Sequence, residues 1–472
     1  MRSVNGGPVS IAVVGAGSRG REAYGRYCVE HPDEGQVVAV AEPDDDRRGA
    51  FAEQHALGAQ QSYVDWRDLL HGRRIADAVI IATPDAMHVE PALAALDLGY
   101  HVLLEKPIGP REDDVRRLAA AAAQAPVGSI TVAHVLRYTP FFRLLKRLVL
   151  QGAIGRLMAI QHSENIGYWH FAHSFVRGNW RSEAVASPMI LAKACHDLDL
   201  LRWFAGAPCT TVASVGRLSH FRPENVPPGA PARCTDGCPV ADHCAFYAPR
   251  FYLELLEGVT GWPISTITND PRPEGVMAAL REGPYGRCVY RCHNDVPDHQ
   301  AVLLEFANGV SATLNVSAFT ADNTRTVKLM GTEGELRGRL DSGDVELRRF
   351  SYSPTGGGDG AEGDWQRDSG GRAALRGGEV KRTRVAAVAR LADEEAPIGY
   401  GGHGGGDEAL MAVFLASVRS TPPGRPLASL SSLAASVESH IMAFAAERSR
   451  RERRMVELPV PEREEYRAAM LR

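Results

Sequence analysis

A glycine-rich turn near the start of the chain has the spacing of a phosphate-binding loop. Gly15, Gly17 and Gly20 form a G-x-G-x-x-G pattern, with Ser18 and Arg19 inside it, directly after a short apolar run. The first glycine permits a tight turn, the second lets a pyrophosphate approach the backbone, and the third lets a helix pack closely on a strand. The helix that follows presents the positive end of its dipole to the phosphates. The pattern predicts a dinucleotide site.

An acidic residue follows at the distance expected for the partner of the adenosine ribose. Glu42 ends the second apolar run. A carboxylate at this place accepts hydrogen bonds from both ribose hydroxyls and repels a 2′-phosphate, which favours NAD. Arg19, Arg47 and Arg48 lie close enough in the sequence to accommodate that phosphate, so NADP is the alternative. Arg47 is a further candidate cofactor contact.

Five of the eight cysteines lie between residues 234 and 292. Cys234, Cys238 and Cys244 have the order C-x₃-C-x₅-C, and Cys288 and Cys292 follow later. An insertion poor in aliphatic residues needs another source of order, which thiolate coordination can provide. The pattern predicts a structural Zn²⁺ held by Cys234, Cys238, Cys244 and Cys288, with Cys292 as the alternative fourth ligand. An iron–sulfur cluster, isolated thiols and a disulfide are the alternatives.

Apolar runs alternate with helical patterns through the first 135 residues. Strands are predicted at residues 11–14, 36–41, 78–82, 101–104 and 129–134. Helices are predicted at residues 21–30, 47–55, 90–98 and 113–123. This alternation indicates a parallel sheet covered by helices on both faces, so residues 1–135 are predicted to form a Rossmann domain.

The pattern changes in the second part of the chain, residues 136–472. Strands with period-two alternation are predicted at residues 157–162, 301–306 and 310–316, and helices at residues 191–204, 409–419 and 430–448. These indicate an α/β domain with a large, mostly antiparallel open sheet. Residues 221–292 form a cysteine-rich insertion, and the glycine- and charge-rich residues 355–406 are predicted to be a loop.

The overall composition excludes several classes of protein. The net charge is −4, without the basic excess that attracts nucleic acid. No apolar run approaches the ~20 residues that span a bilayer, and the first ten residues lack the apolar stretch of a signal peptide. We therefore expect a cytoplasmic protein with reduced cysteines and with neither a membrane nor a nucleic-acid partner.

Further motifs make the chain resemble the Gfo/Idh/MocA oxidoreductase family over most of its length. They are Ala-Thr-Pro-Asp-Ala-Met-His at 82–88, Glu-Lys-Pro at 105–107, Asn-Trp-Arg at 179–181, His-Asp-Leu-Asp at 196–199 and His-Gly-Gly-Gly-Asp at 403–407. The resemblance implies a Rossmann domain followed by an open-sheet α/β domain, and cofactor contacts from Thr83, His88, Glu105 and Lys106. It also implies a sugar, inositol or polyol substrate and a homodimer or homotetramer.

The same resemblance assigns catalytic roles. Lys106 matches the lysine that sits between nicotinamide and substrate in the family. A lysine held away from water can take the hydroxyl proton or hydrogen-bond the developing alkoxide. His196 matches the histidine that partners this lysine. The family has an Asp four residues earlier, where this chain has Ala192. We expect Lys193, on a nearby helical face, to substitute for it electrostatically.

A segment rich in rings and cations precedes the predicted 191–204 helix. Tyr168, His170, His173, Arg177 and Trp180 are the candidate substrate contacts. Aromatic faces suit the C–H faces of sugars, whereas Arg and His suit hydroxyls or an anionic group. The sequence thus predicts an NAD-dependent oxidoreductase that transfers a hydride between nicotinamide and a ring hydroxyl of a sugar, polyol or sugar derivative. The alternative is an NAD-dependent glycoside hydrolase that works by transient oxidation, elimination and re-reduction.

Overall fold

The computed structural model describes residues 7–125, 129–350, 403–421 and 425–459, together with three short strands between residues 365 and 384. Its two large sheets define two domains. None of the described helices is long and apolar enough to cross a membrane.

The first domain contains six parallel strands: β1 (Val9–Val14), β2 (Gly35–Ala41), β3 (Ser62–Tyr63), β4 (Ala78–Ile81), β5 (His101–Leu104) and β6 (Ser129–Val132). Their order is β3-β2-β1-β4-β5-β6, so the direction of winding reverses between β1 and β4. Strands β4 and β5 are buried along their whole length, which explains why their sequence is almost continuously apolar. The five predicted strands and the Rossmann topology are confirmed. The crevice at the carboxyl ends of β1 and β4 is where such sheets bind ligands.

The helices of the first domain lie on both faces of this sheet. They are α1 (Arg26–Glu30), α2 (Asp45–Gln54), α3 (Trp66–Leu69), α4 (Val89–Asp97) and α5 (Glu112–Gln124). A π-helical segment, Arg19–Gly25, leads from the glycine-rich turn into α1.

The second domain is built on a nine-stranded sheet. Its strands are β7 (Leu157–Gly167), β8 (Cys209–Arg217), β9 (His299–Phe306), β10 (Ser311–Thr320), β11 (Thr324–Gly331), β12 (Gly334–Arg339), β13 (Asp344–Arg349), β16 (Val380–Arg384) and β17 (Val456–Glu457). A separate hairpin pairs β14 (Trp365–Arg367) with β15 (Ala373–Leu375). The sheet order is β16-β13-β12-β11-β7-β10-β9-β8-β17, and only the β7–β10 pair is parallel. Residues of β9 alternate strictly between exposed and buried, as the period-two pattern predicts.

Helices cover the buried face of this sheet. The remaining helices of the chain are α6 (Pro140–Leu150), α7 (Tyr168–Phe171), α8 (Met189–Ala192), α9 (Cys195–Ala205), α10 (Pro273–Glu282), α11 (Gly406–Ser420) and α12 (Leu433–Glu452). Shorter 3₁₀ or π turns occur at Ala59–Gln61, Asp85–Met87, Val135–Tyr138, Ala172–Arg177, Pro223–Asn225, Arg250–Leu255, Ile264–Thr266, Pro284–Gly286 and Val289–Arg291.

Two predictions of local structure are wrong. The helix predicted at 191–204 is divided at Lys193 into α8 and α9, because a tertiary ion pair directs Lys193 toward β7. The segment 355–406 is not only a loop, because β14, β15 and β16 lie within it. Apart from these strands and its last residues, 403–406, that segment lies outside the described residues.

The insertion between β8 and β9 has a core of its own. Its buried members are Cys234, Ala248, Phe251, Tyr252, Leu256, Ile264, Val276, Leu280 and Tyr285. The expectation that this segment lacks the apolar residues for a core is therefore wrong, because three aromatic rings supply much of the buried surface.

The C-terminal helices return to the first domain. Helix α11 lies against β1 and β2: a Cβ built on Gly35 would lie 2.8 Å from Leu415 Cδ1, and the guanidinium of Arg419 donates to the carbonyl of Glu34. Residues predicted to belong to the second domain thus complete the first.

Where the chain first passes from one domain to the other, it is bonded to Ser431. The backbone of Val132 donates to the carbonyl of Ser431 at 2.8 Å, and Tyr138 donates to the Ser431 hydroxyl at 2.9 Å.

Candidate active site

The glycine-rich turn has the backbone geometry that its pattern predicts. Gly15 has φ +94°, and an added Cβ would lie 2.7 Å from the carbonyl oxygen of Ala82. A Cβ on Gly20 would lie 2.0 Å from the carbonyl oxygen of Gly15. Both positions therefore require glycine. Around Gly17 a Cβ would meet nothing within 4 Å, so this turn leaves open space where a phosphate would approach.

Glu42 lies beside this turn, as predicted. Its Oε2 accepts a hydrogen bond from the backbone N–H of Ala16 at 2.8 Å, and its Oε1 accepts one from Arg47 Nη2 at 3.0 Å. The side chain is buried at the end of β2. The carboxylate thus lies beside the glycine-rich turn at the end of β2, and the arginine is bound to it.

The 82–88 motif is joined to the lysine motif through His88. The imidazole lies between the carbonyl oxygens of Thr83, at 2.8 Å, and Pro107, at 2.6 Å. The Thr83 hydroxyl donates to the carbonyl of Met87. His88 is buried, so it holds two loops of the site together rather than offering a free nitrogen to the cofactor.

Lys106 lies at the boundary between the two domains. It follows β5, precedes a cis peptide bond to Pro107, and its Nζ donates to the carbonyl of Ala192, in the second domain, at 3.1 Å. Its neighbour Glu105 is buried and accepts from Arg19 Nε at 2.6 Å and from the Tyr24 hydroxyl at 2.5 Å. Although burial raises the pKa of Glu105, the Arg19 and Lys106 cations lower it below its ordinary value.

Arg19 connects the glycine-rich turn to the C-terminal motif. Besides Glu105, its guanidinium donates to Asp407 Oδ1 at 2.5 Å. The other oxygen of Asp407 lies 3.0 Å from His403 Nδ1. Burial by itself raises the pKa of Asp407, but Arg19 and His403 bring it well below its usual range. The 403–407 motif thus belongs to the site.

Two buried histidines lie beside Lys106. Within the described residues, neither nitrogen of His196 nor of His134 makes a hydrogen bond, and His134 Nε2 lies 3.7 Å from Asp199 Oδ1. The two rings are 5.6 Å apart, and His403 lies 5.6 Å from His196 on the other side. Burial lowers the pKa of His196 well below its ordinary value, and the charge of Lys106 lowers it further. Both imidazoles are therefore neutral and able to accept a proton or a hydrogen bond. His134 was not predicted.

An acidic residue on another strand compensates for the carboxylate that is missing at Ala192. Lys193 Nζ lies 3.2 Å from Glu164 Oε1 on β7, and Arg325 Nη2 on β11 lies 2.7 Å from Glu164 Oε2. Arg325 also donates to Asp197, which contacts His162. Burial is the main reason that the pKa of Lys193 is lowered. The sequence contains one local signal for Glu164: it occupies an inward position in the alternation of β7.

The ring- and cation-rich segment divides into two groups. His170, whose Nδ1 lies 3.0 Å from Asn323 Oδ1, and Tyr168 are half-buried near the junction of the domains. Trp180 donates to Asp85 Oδ2 at 3.2 Å, across the domain boundary.

His173 and Arg177 are buried and bind the insertion instead. His173 contacts the Tyr252 hydroxyl at 2.7 Å, and Arg177 donates to the carbonyl of Phe246 at 2.7 Å. This geometry does not support substrate contacts for His173 and Arg177, because their polar atoms are already paired.

The four predicted zinc ligands are close neighbours. Cys234, Cys238, Cys244 and Cys288 line one small cavity of the insertion, and Arg177 Nη2 lies 3.6 Å from Cys234 Sγ. However, the described part of the chain contains no group of three or more His, Cys, Asp or Glu side chains placed to hold a metal ion. The zinc site stays a prediction, and the apolar core described above also contributes to the order of the insertion.

The residues present fit a dinucleotide. The open approach over Gly17, the buried Glu42 beside it and Lys106 at the domain boundary form one line across the carboxyl ends of β2, β1, β4 and β5. The fold and this site define a two-domain, dinucleotide-dependent oxidoreductase.

Comparison with known proteins identifies the family. Residues 9–134 match the NAD-binding Rossmann domain of the Gfo/Idh/MocA oxidoreductases, and residues 146–351 match the C-terminal α/β domain of the same family. The chain belongs to the Gfo/Idh/MocA family.

Individual relatives have modest sequence identity to this chain. "Putative oxidoreductase YteT" of Bacillus subtilis (strain 168) is 32% identical over 55% of this chain and 59% of its own length. Inositol 2-dehydrogenase of Corynebacterium glutamicum (strain R) is 28% identical over 43% of this chain and 56% of its own length. The matches thus span little more than half of these relatives. The solved structure of levoglucosan dehydrogenase in complex with NADH and levoglucosan has a TM-score of 0.65 and 18% identity, covering 96% of this chain and 100% of that chain. This last likeness concerns the fold.

Proposed function

We propose that the protein is an NAD-dependent dehydrogenase that oxidises a ring hydroxyl of a sugar, polyol or sugar derivative. The observation that carries the proposal is the position of Lys106. Its Nζ meets the second domain at the carbonyl of Ala192, beside the unpaired imidazole of His196. The names of the relatives, an inositol dehydrogenase and a levoglucosan dehydrogenase, support this class of substrate.

Alcohol oxidation needs a proton removed from oxygen while hydride leaves carbon, and bound NAD would supply the hydride acceptor. Lys106 Nζ holds the hydroxyl oxygen of the substrate and takes its proton or stabilises the alkoxide by donating to it. His196 is neutral and makes no hydrogen bond within the described residues, so it orients the same or a neighbouring hydroxyl by accepting a hydrogen bond from it. Lys193 keeps the local charge positive, which favours the alkoxide.

Glu42 supports NAD rather than NADP as the preferred cofactor. Its Oε2 is already close to the glycine-rich turn, at 2.8 Å from the nitrogen of Ala16, and is placed to accept from a ribose diol. A 2′-phosphate at that place would face a buried carboxylate, and Arg47 offsets only part of the repulsion because its guanidinium already binds Glu42.

A redox-neutral glycoside hydrolase is the second candidate. The observation that favours it is that the imidazoles of His134 and His196 make no hydrogen bond within the described residues. Elimination and addition need a second base, in addition to the group that takes the hydroxyl proton.

One assay separates the candidates. The protein is mixed with NAD and a panel of free polyols, anhydrosugars and aryl glycosides, and absorbance at ~340 nm and released aglycone are recorded separately. We expect NADH to accumulate with at least one polyol or anhydrosugar. Aglycone release without NADH would replace the dehydrogenase by the hydrolase. If neither signal appeared with any compound, the proposed function would be refuted.

A further inference from the structure

The insertion between β8 and β9 extends to the cofactor-binding domain. A Cβ built on Gly261 would lie 4.0 Å from Oε2 of Glu22, in the helical segment that follows the glycine-rich turn. The same oxygen accepts a hydrogen bond from the Ser18 hydroxyl, inside the turn, at 3.1 Å. A segment of the insertion therefore lies across the beginning of the dinucleotide-binding helix, although its strands of origin are in the other domain.

The next residue of this segment is an aromatic ring in contact with the second domain. Trp262 is half-buried, and its ring centroid lies 5.0 Å from His170, 5.4 Å from His173 and 5.8 Å from Trp169. The contacts with His170 and His173 are edge-to-face. Trp262 thus joins the segment beside the glycine-rich turn to the aromatic segment at residues 168–173.

His170 links this ring to the catalytic centre. His170 Nδ1 lies 3.0 Å from Asn323 Oδ1, and Arg325, two residues further along the chain, binds Glu164, which is the partner of Lys193. Lys193 directly follows Ala192, whose carbonyl binds Lys106 Nζ. These contacts lead from the proposed catalytic lysine, Lys106, by way of Lys193 and His170 to Trp262 in the insertion.

We propose that Trp262 forms an aromatic wall of the substrate cleft, and that the insertion thereby selects which sugar or polyol ring is accepted. The inference rests on the proposed dehydrogenase function. The half-exposed indole provides a flat apolar surface for the C–H face of a pyranose or cyclitol ring, whereas His170 and Lys193 provide polar contacts for its hydroxyls. Trp169 is less suited to this role, because its ring stacks on Phe251, a member of the insertion core.

The test compares Trp262→Ala and Trp262→Phe with the wild type, and uses Trp66→Phe, in helix α3 of the first domain, as the matched control. Levoglucosan, myo-inositol and D-glucose are the probes, with NAD in excess. Trp262→Ala should raise KM roughly 10- to 30-fold, leave kcat within about threefold, and change the ratio of kcat/KM between the probes. Trp262→Phe should restore most of the affinity, and Trp66→Phe should match the wild type.

A second measurement makes the outcome decisive. Binding of the best probe to the protein with NADH is followed by calorimetry, and NAD affinity and thermal stability are measured for each variant. A merely structural tryptophan would lower kcat, stability and NAD affinity together and affect all probes equally, which would overturn the inference. If Trp262→Ala kept the KM and the probe ratios of an active wild type, this inference would be overturned and the proposed function would stand. A wild type that neither binds nor oxidises any probe would overturn both this inference and the proposed function.

Discussion

The buried ion pair between Lys193 and Glu164 predicts an asymmetric response to mutation. Lys193 Nζ is 3.2 Å from Glu164 Oε1, and both side chains are largely buried. At an effective dielectric constant of about 20, unit charges at this distance attract each other by about 5 kcal/mol. Yet the pKa of Lys193 is lowered in spite of Glu164, because burial, with the charges of Arg325 and Lys106, outweighs the attraction. We therefore expect the charged ammonium to add no net stability to the folded protein.

Removal of Lys193 and removal of Glu164 should change stability by different amounts. Glu164 also binds Arg325, whereas Glu164 is the one acidic partner of Lys193 within the described residues. In Lys193→Met, Glu164 keeps Arg325 at 2.7 Å, and we expect the free energy of unfolding to change by less than about 1 kcal/mol. In Glu164→Gln, Lys193 and Arg325 face each other without this carboxylate. We expect a loss of about 3–5 kcal/mol, because breaking a buried pair leaves an uncompensated charge.

Urea unfolding at a series of pH values measures both effects. Because the pKa of Lys193 is lower in the folded than in the unfolded chain, the unfolded state binds more protons just below the ordinary value of 10.5. Wild-type stability should therefore gain a contribution as pH rises toward that value, and Lys193→Met should lack it. Lys193→Met should also change the pH profile of kcat/KM, since a positive charge beside Lys106 is removed. A large loss of stability in Lys193→Met with a small one in Glu164→Gln would refute this reasoning.

Four further predictions follow from the site and the fold. Lys106→Ala should lower turnover roughly 10²–10⁴-fold with NAD affinity within a few-fold, whereas Lys328→Ala, a control on β11, should retain activity; wild-type turnover in Lys106→Ala would exclude it as the proton-transfer group. Glu42→Gln should weaken NAD relative to NADP in calorimetry, and an unchanged ratio would remove its ribose role. Asp407→Asn should lower the free energy of unfolding at neutral pH but much less in acid. The stabilisation that comes from the depressed pKa of Asp407 is lost as pH falls below about 4, so a pH-independent difference would contradict this. Leu280→Ala, in the insertion core, should lose about 2–5 kcal/mol by urea unfolding, and an unchanged midpoint would show that the core does not order the insertion.

The parts of the fold that depend on local pattern could be predicted from the sequence. The five predicted strands of the first domain are short buried runs with clear boundaries, and the glycine-rich turn and Glu42 are separated by one helix–strand unit. Strand β3 contains two residues, Ser62 and Tyr63, which is too short for any periodicity. The break between α8 and α9 was missed because the ion pair of Lys193 is formed with a distant strand.

The site residues that the sequence did not indicate are brought in by tertiary contacts. His134 follows β6, and Arg325 is the second residue of β11, so neither belongs to a motif near Lys106. The zinc site remains a prediction. The sequence did not indicate the separate core of the insertion, in which Phe251, Tyr252 and Tyr285 pack with aliphatic side chains.

The contact between Ser431 and the first interdomain passage has a mechanical consequence. The backbone after β6 and the segment before α12 are bonded to each other at Val132 and Tyr138, exactly where the chain leaves one domain and where it returns toward the other. Sliding of one segment past the other would break these buried hydrogen bonds. We therefore expect any change in the angle between the domains to keep Val132 and Ser431 together.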